Sequence, residues 1–231
     1  MFTHPLAQVA LRVHVLTGIL ALVAGFGAML CTKGSTRHRR FGKLYVWLMA
    51  IVAVTSGALA ASIASAFLLS LTLFIFYLAL SGYSAILHGA PKPSRASKAL
   101  EWCAAALGLT SGGSLLLLAW RSAVMERTDQ AVITLVFGSI ATGLGIWDGH
   151  QLLSRRRRIN LRWLVHMGKM LGSYISAVTA VVVIQAQSLP WRTRYLAPTA
   201  IGVPVIIVWM AYYWGHFRAD SRRPSSSRCR R

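Results

Sequence analysis

Seven long apolar runs restrict what this chain can fold into. They cover about residues 6–30, 41–64, 66–88, 98–120, 130–153, 163–186 and 195–217. Each comes close to the roughly 20 apolar residues that an α-helix needs to cross a bilayer. Because backbone polar groups must be satisfied within each segment in lipid, we predict an all-α bundle of seven transmembrane helices.

The composition agrees with a chain that has the lipid bilayer as its main partner. Of the 231 residues, 55% are hydrophobic and only 13% are charged, and the mean hydropathy is +0.55. A net charge of +20 would suit a nucleic-acid-binding protein, but the basic residues lie in short loops between apolar runs. Basic loops of this kind set membrane topology, so we predict no nucleic-acid partner.

The distribution of Lys and Arg predicts the orientation of the bundle. These residues concentrate in the loops after the first, third and fifth runs, including the run Arg155 to Arg158, and in the last residues of the chain. Cytoplasmic loops carry such an excess, so we expect the N-terminus outside and the C-terminus inside. We assign 1–217 to the membrane domain and 218–231 to a basic cytoplasmic tail, whose composition predicts disorder.

Stripes of small and polar residues indicate which helix faces point into the bundle, because membrane helices pack through such residues. In the first helix the stripe is His14, Gly18, Ala21, Gly25 and Ala28. The other stripes are Ser70, Tyr77, Ser81, Ser84 and His88 in the third helix, Gly138, Ala141, Gly145 and Asp148 in the fifth, and His166, Lys169, Ser173, Ser176 and Ala180 in the sixth.

The small residues of the first and fifth stripes match at a constant offset, which suggests an internal repeat. Gly42-Lys43 matches Gly168-Lys169 in the same comparison. Both helix triplets would start outside, so the repeat would be parallel, arranged 3+1+3 about the fourth helix.

Asp148 and Lys169 are charged residues inside predicted spans, and such residues are functional hypotheses by default. They lie at similar depth near the ends of the fifth and sixth helices, so we predict an ion pair. Two interpretations stay open: a structural clamp between helices, and a proton or ion relay. The residues Thr110 to Ser114 in the fourth helix are weak helix formers near mid-membrane. They fit either a broken helix, as transporters have, or a packing groove.

Five histidines gather toward the predicted cytoplasmic face, namely His38, His88, His150, His166 and His216. Histidines from two helices commonly hold haem b, and neutral imidazole also binds metal ions. The favoured pairs are His88 with His216 and His150 with His166. Interfacial polar residues are the alternative, and His150 is turned about 200° from Asp148 on an ideal helix.

Two blocks of the sequence resemble a family of bacterial membrane proteins known as domain of unknown function 2306. The first contains His14, Gly18 and Gly25, followed by His38-Arg39, Gly42 and Tyr45; the second contains His166, Met170-Leu171-Gly172-Ser173-Tyr174 and Thr179-Ala180. The resemblance implies a multi-pass protein of the bacterial inner membrane and gives weight to His14 and Tyr174, but it supplies no reaction.

Three functions fit the sequence. The first is binding of haem b or a metal through the cytoplasmic-side histidines; an enzyme of this type would be a membrane electron-transfer protein. The second is a small-solute or ion transporter that uses Asp148 and Lys169. The third is a scaffold in which both charges only hold the helices together. The sequence assigns no catalytic residue.

Overall fold

The computed structural model describes residues 5–87, 94–154 and 162–221, with side chains up to Gly215. These residues form seven α-helices and no strand: α1 (Pro5–Leu30), α2 (Thr36–Ser62), α3 (Ala66–Leu87), α4 (Arg95–Val124), α5 (Thr128–Leu153), α6 (Arg162–Gln185) and α7 (Trp191–Ser221). All seven are long and apolar enough to cross a membrane. The all-α, seven-span fold is therefore confirmed, and the chain is built as a multi-pass membrane protein.

Capping residues start two helices earlier than hydropathy alone predicts. The Ser35 hydroxyl accepts a hydrogen bond from the His38 amide at 3.2 Å and so begins α2 at Thr36. Ser94 accepts from the Ser97 amide at 3.1 Å at the start of α4. Serine satisfies an otherwise unpaired amide at this position. His38, expected to precede α2, therefore lies in its first turn.

The shortest connections are closed by residues in the left-handed conformation. Ala64 has φ of 50° between α2 and α3, and Glu126 has φ of 57° between α4 and α5. In the first turn the Ser65 amide donates to the Ala60 carbonyl at 2.9 Å, which satisfies a free carbonyl at the helix end. Residues 63–65 thus suffice to reverse the chain between two spans.

Helix α3 is the centre of the bundle. It packs against α2, α4 and α6, while α1 packs on α2, α4 on α5, and α7 on α6. In the described residues the backbones of α5 and α6 do not approach each other closely. The packing of α1 on α2 therefore has no counterpart between α5 and α6, and the two triplets of the suggested 3+1+3 repeat are not equivalent.

Small residues allow close approach at some predicted positions only. Ala21, Gly25 and Ala28 are buried, whereas the space around Gly18 is open. In α6, Thr179 is buried and Ala180 is exposed, so the inward face is turned slightly from the predicted one.

The suggested break in α4 is absent from the structure, because the helix runs unbroken through Thr110 and Ser114. The Thr110 hydroxyl donates to the Ala106 carbonyl at 2.8 Å within the same helix. Gly112 instead lets α4 approach the backbone of Thr142 in α5. This segment is a packing groove and not an open backbone site.

At the C-terminal end, α7 continues through Ser221, so residues 218–221 of the predicted tail are helical. Residues 222–231 lie outside the described residues.

Candidate functional site

Lys169 and Asp148 form an ion pair inside the bundle. The ammonium of Lys169 donates to both carboxylate oxygens of Asp148. Only 5% of the Lys169 side chain and 14% of the Asp148 side chain are exposed. The pair predicted from the sequence is confirmed, and its low exposure removes most of the solvent screening that weakens surface ion pairs.

Two hydroxyl groups of α3 complete the surroundings of this pair. The Tyr77 and Ser81 hydroxyls donate to Oδ2 of Asp148 at 2.8 and 2.7 Å. Lys169 donates to the Ser81 hydroxyl at 2.6 Å, and its ammonium lies 5.2 Å from the centroid of the Tyr77 ring. We call Tyr77, Ser81, Asp148 and Lys169 the polar cluster. Buried charges need such hydrogen bonds to offset lost hydration.

The polar cluster joins three helices, two of which stay apart at their backbones and meet through the ion pair. Asp148 comes from α5 and Lys169 from α6, while α3 supplies Tyr77 and Ser81 one helical turn apart. The sequence placed both α3 residues on a polar stripe but did not connect them with the charges. Their spacing of four residues in an apolar helix was the available indication.

A half-open cavity of about 420 Å³ lies next to the polar cluster. It is bounded by α3, α5, α6 and α7, and it separates α5 from α6. Its lining is mostly aliphatic and aromatic and includes Phe74, Leu78, Phe137, Ile140, Leu144, Trp147, Ile175, Val203, Ile206 and Met210. Among the described residues that line it, Lys169 is the one charged side chain. No pattern in the sequence indicated this space.

Of the five candidate ligand histidines, the structure brings together His38 and His166. Their ring centroids are 6.4 Å apart, with ring planes at 84°. Nδ1 of His38 lies 2.9 Å from the Ala28 carbonyl, and Nδ1 of His166 lies 2.7 Å from the Gly82 carbonyl. A carbonyl can only accept, so both Nδ1 atoms are donors. In the neutral rings this leaves Nε2 of each histidine with its lone pair.

Among the described residues, His150 does not join this pair. His150 is exposed on α5, so the suggested pair of His150 with His166 is not formed. His88 and the side chain of His216 lie outside the described residues. No group of three or more His, Cys, Asp or Glu side chains is placed to hold a metal ion in the described part of the chain.

The other two predicted polar positions serve helix packing. Nδ1 of His14 lies 3.2 Å from the Thr55 hydroxyl and links α1 to α2. The ring of Tyr174 covers Gly25 of α1, where an added Cβ would lie only 2.7 Å from the ring. Neither residue reaches the polar cluster.

Lys33 lies at the same end of the bundle as His38, in the loop between α1 and α2. Its ammonium donates to the Met29 carbonyl at 2.7 Å and lies 5.5 Å from the centroid of the Trp209 ring. Partial burial lowers the pKa of Lys33 from its ordinary value. The contact ties this loop to α7, one of the helices that bound the cavity.

Comparisons with family models, curated proteins and solved structures find no match for this chain. The resemblance to domain of unknown function 2306 therefore stays a prediction.

Proposed function

We propose that this protein is a carrier of small solutes in the bacterial inner membrane. The observation that supports the proposal is a buried ion pair whose cationic member, Lys169, borders a cavity of about 420 Å³. Small-molecule sites are typically cavities of about 300–1,000 Å³ with mostly apolar walls and a few polar groups. The cavity lies between membrane helices, which is where transporters bind their solutes.

The helix arrangement supports movement around this site. Since the backbones of α5 and α6 stay apart, the polar cluster links these two helices next to the cavity. Losing one partner of a buried pair costs about 3–5 kcal/mol, so the pair opens only when a solute or a proton replaces the lost charge. Opening can therefore be coupled to solute binding. Pro198 and Pro204 inside α7 remove two backbone donors from the helix that covers the cavity.

Uptake by reconstituted protein tests the proposal and identifies the solute in the same experiment. Proteoliposomes with an imposed pH gradient are incubated with the small-molecule fraction of a bacterial lysate, and the retained solutes are identified by mass spectrometry. We expect at least one solute to accumulate severalfold in a gradient-dependent manner with the natural protein.

The matched control is the double variant Asp148→Asn/Lys169→Met, which removes both charges together and leaves no unpaired ion. We expect it to fold and to lose the accumulation. Identical solute profiles for the two proteins would contradict the carrier proposal. A deletion phenotype that the double variant complements as well as the natural protein does would favour the scaffold interpretation.

A second candidate function is metal binding by His38 and His166. Both rings are fixed by a backbone carbonyl at Nδ1, which is a common way to orient histidine ligands and leaves Nε2 free to bind. Imidazole suits zinc, copper and iron. The iron could also be that of haem b, which histidines commonly hold.

Metal analysis and an optical spectrum of the purified protein test this second candidate. We expect a stoichiometric metal or a Soret band in the natural protein and its loss in His38→Ala and His166→Ala. The variant His150→Ala is the control, because this exposed histidine is apart from the pair. Equal content in all four proteins would exclude the His38/His166 site.

A further inference from the structure

The chemistry of the cavity defines the class of solute, if the carrier function proposed above holds. The walls are mostly aliphatic and aromatic, and Ser176 and Thr199 are among the few polar residues that line them. Lys169 is the one charged residue among the described residues that line the cavity, whereas its partner Asp148 does not line it. An apolar cation would be repelled there, and a neutral molecule would leave the ion pair unused.

We propose that the cavity binds a small monoanion with an apolar body, and that each bound anion is accompanied by one proton taken up by Asp148. The apolar body occupies the space between α5 and α6. The anionic head replaces the carboxylate of Asp148 as the partner of the Lys169 ammonium.

The balance of charge explains why a proton accompanies the anion. In the empty protein the ammonium and the carboxylate neutralise each other. Binding of an anion adds one negative charge in a region of low dielectric constant, where an uncompensated charge is costly. Protonation of Asp148 restores neutrality. Release of the anion returns Lys169 to Asp148, and the proton leaves the carboxyl group.

The surroundings of Asp148 are suited to this exchange. The groups that face it are the Lys169 ammonium from α6 and the Tyr77 and Ser81 hydroxyls from α3. Both hydroxyls donate to Oδ2, and the Ser81 hydroxyl also accepts from Lys169. Since hydroxyl groups accept as well as donate, they can turn to receive a hydrogen bond from a protonated carboxyl group. Asp148 therefore keeps partners in both states.

Binding to the purified protein in phosphatidylcholine nanodiscs tests the inference independently of transport. The probes are hexanesulfonate, hexan-1-ol and hexylammonium, which share one apolar body and differ in head group, with empty nanodiscs as the blank. We expect saturable, one-to-one binding of hexanesulfonate and at least about tenfold weaker binding of the other two. In weakly buffered solution, hexanesulfonate binding should take up one proton per protein, because the sulfonate itself does not titrate.

Two variants separate this mechanism from a structural role of the charges. Asp148→Asn removes the competing carboxylate, so it should bind hexanesulfonate about tenfold more tightly and without proton uptake. A purely structural aspartate would give weaker binding on replacement. The double variant Asp148→Asn/Lys169→Met should lose hexanesulfonate binding while its helical circular dichroism and elution volume stay unchanged.

The outcomes distinguish the solute class from the carrier function. Equal affinity for hexanesulfonate and hexan-1-ol, or binding without proton uptake by the natural protein, would overturn the monoanion inference. Marked weakening in nanodiscs that contain phosphatidylglycerol would overturn it in favour of a lipid headgroup as the natural occupant. If lysate solutes accumulate but are cationic or neutral, the solute class is wrong and the carrier function stands. If hexanesulfonate binds as expected but no solute accumulates, the solute class stands and the carrier function is wrong.

Discussion

The charged residues of the site could be recognised from the sequence, but their hydrogen-bonding partners could not. Asp148 and Lys169 stand out because charges inside apolar spans are rare. Tyr77 and Ser81 are of types that also occur in ordinary packing stripes. Their role follows from the position of α3 between α5 and α6, a long-range arrangement that periodicity in one helix does not contain.

Removal of the Tyr77 hydroxyl should destabilise the protein. Tyr77→Phe keeps the ring, which is fully buried against Gly108, and deletes the hydrogen bond to Asp148. Hydrogen bonds to charged groups contribute about 1.5–3 kcal/mol, so we expect an unfolding free energy lower by that amount in detergent. The control is Tyr83→Phe on the same helix, outside the polar cluster. Equal stability of the two variants would show that the hydroxyl does not support the ion pair.

Replacing one charge of the pair should harm stability more than replacing both. Lys169→Met leaves the buried carboxylate without its cation, which costs about 3–5 kcal/mol. In Asp148→Asn/Lys169→Met no charge remains, and the amide still accepts from Tyr77 and Ser81. We therefore expect the double variant to unfold at a higher temperature than Lys169→Met. If the double variant lost as much unfolding free energy as the two single variants together, the two side chains would act independently.

At the scale of the helices, hydropathy predicted the number of helices well and the residues at which they begin less well. The starts of α2 and α4 depend on single serine caps, Ser35 and Ser94, which leave little trace in an average over many residues. The Thr110 to Ser114 segment shows the opposite limit. Its composition fits both a broken helix and a tight interface, and only the neighbouring backbone of α5 decides between them.

Two adjacent glycines in this segment provide a matched test of the α4–α5 interface. A Cβ at Gly112 would collide with the backbone of Thr142, whereas a Cβ at Gly113 would meet open space. Overpacking typically costs about 1–3 kcal/mol, so Gly112→Ala should lower the unfolding temperature. Gly113→Ala should leave it unchanged or raise it, because alanine favours the helix. Thermal unfolding in one detergent compares them, and a reversed order would contradict the packing of α4 on α5.

At the scale of the whole molecule, the sequence predicts the orientation in the membrane, which the structure of the helix bundle alone does not give. The packing of the helices does not distinguish inside from outside, so orientation follows from the distribution of basic residues alone. The central position of α3 and the cavity between α5 and α6 are, in contrast, features that the structure shows and the sequence did not predict. They arise from packing among distant helices, which loop charges and hydropathy do not specify.

The predicted orientation can be tested on the full chain by labelling single cysteines. In a variant whose Cys31, Cys103 and Cys229 are changed to serine, Glu126→Cys and Thr32→Cys place exposed thiols at opposite ends of the bundle. If the N-terminus is outside, a membrane-impermeant maleimide should label Glu126→Cys in intact cells and Thr32→Cys only after permeabilisation. The opposite labelling pattern would show that the N-terminus is in the cytoplasm and that the predicted orientation is wrong.

The result also decides which aqueous side lies nearer to the polar cluster. Asp148 is five residues from the end of α5 at Leu153, on the same side as the loop between α1 and α2. With the predicted orientation, the proposed proton and anionic head would have the shorter path to the cytoplasm. The longer path to the outside would run along the apolar part of the bundle. Inverted labelling would exchange these two paths and leave the chemistry of the polar cluster unchanged.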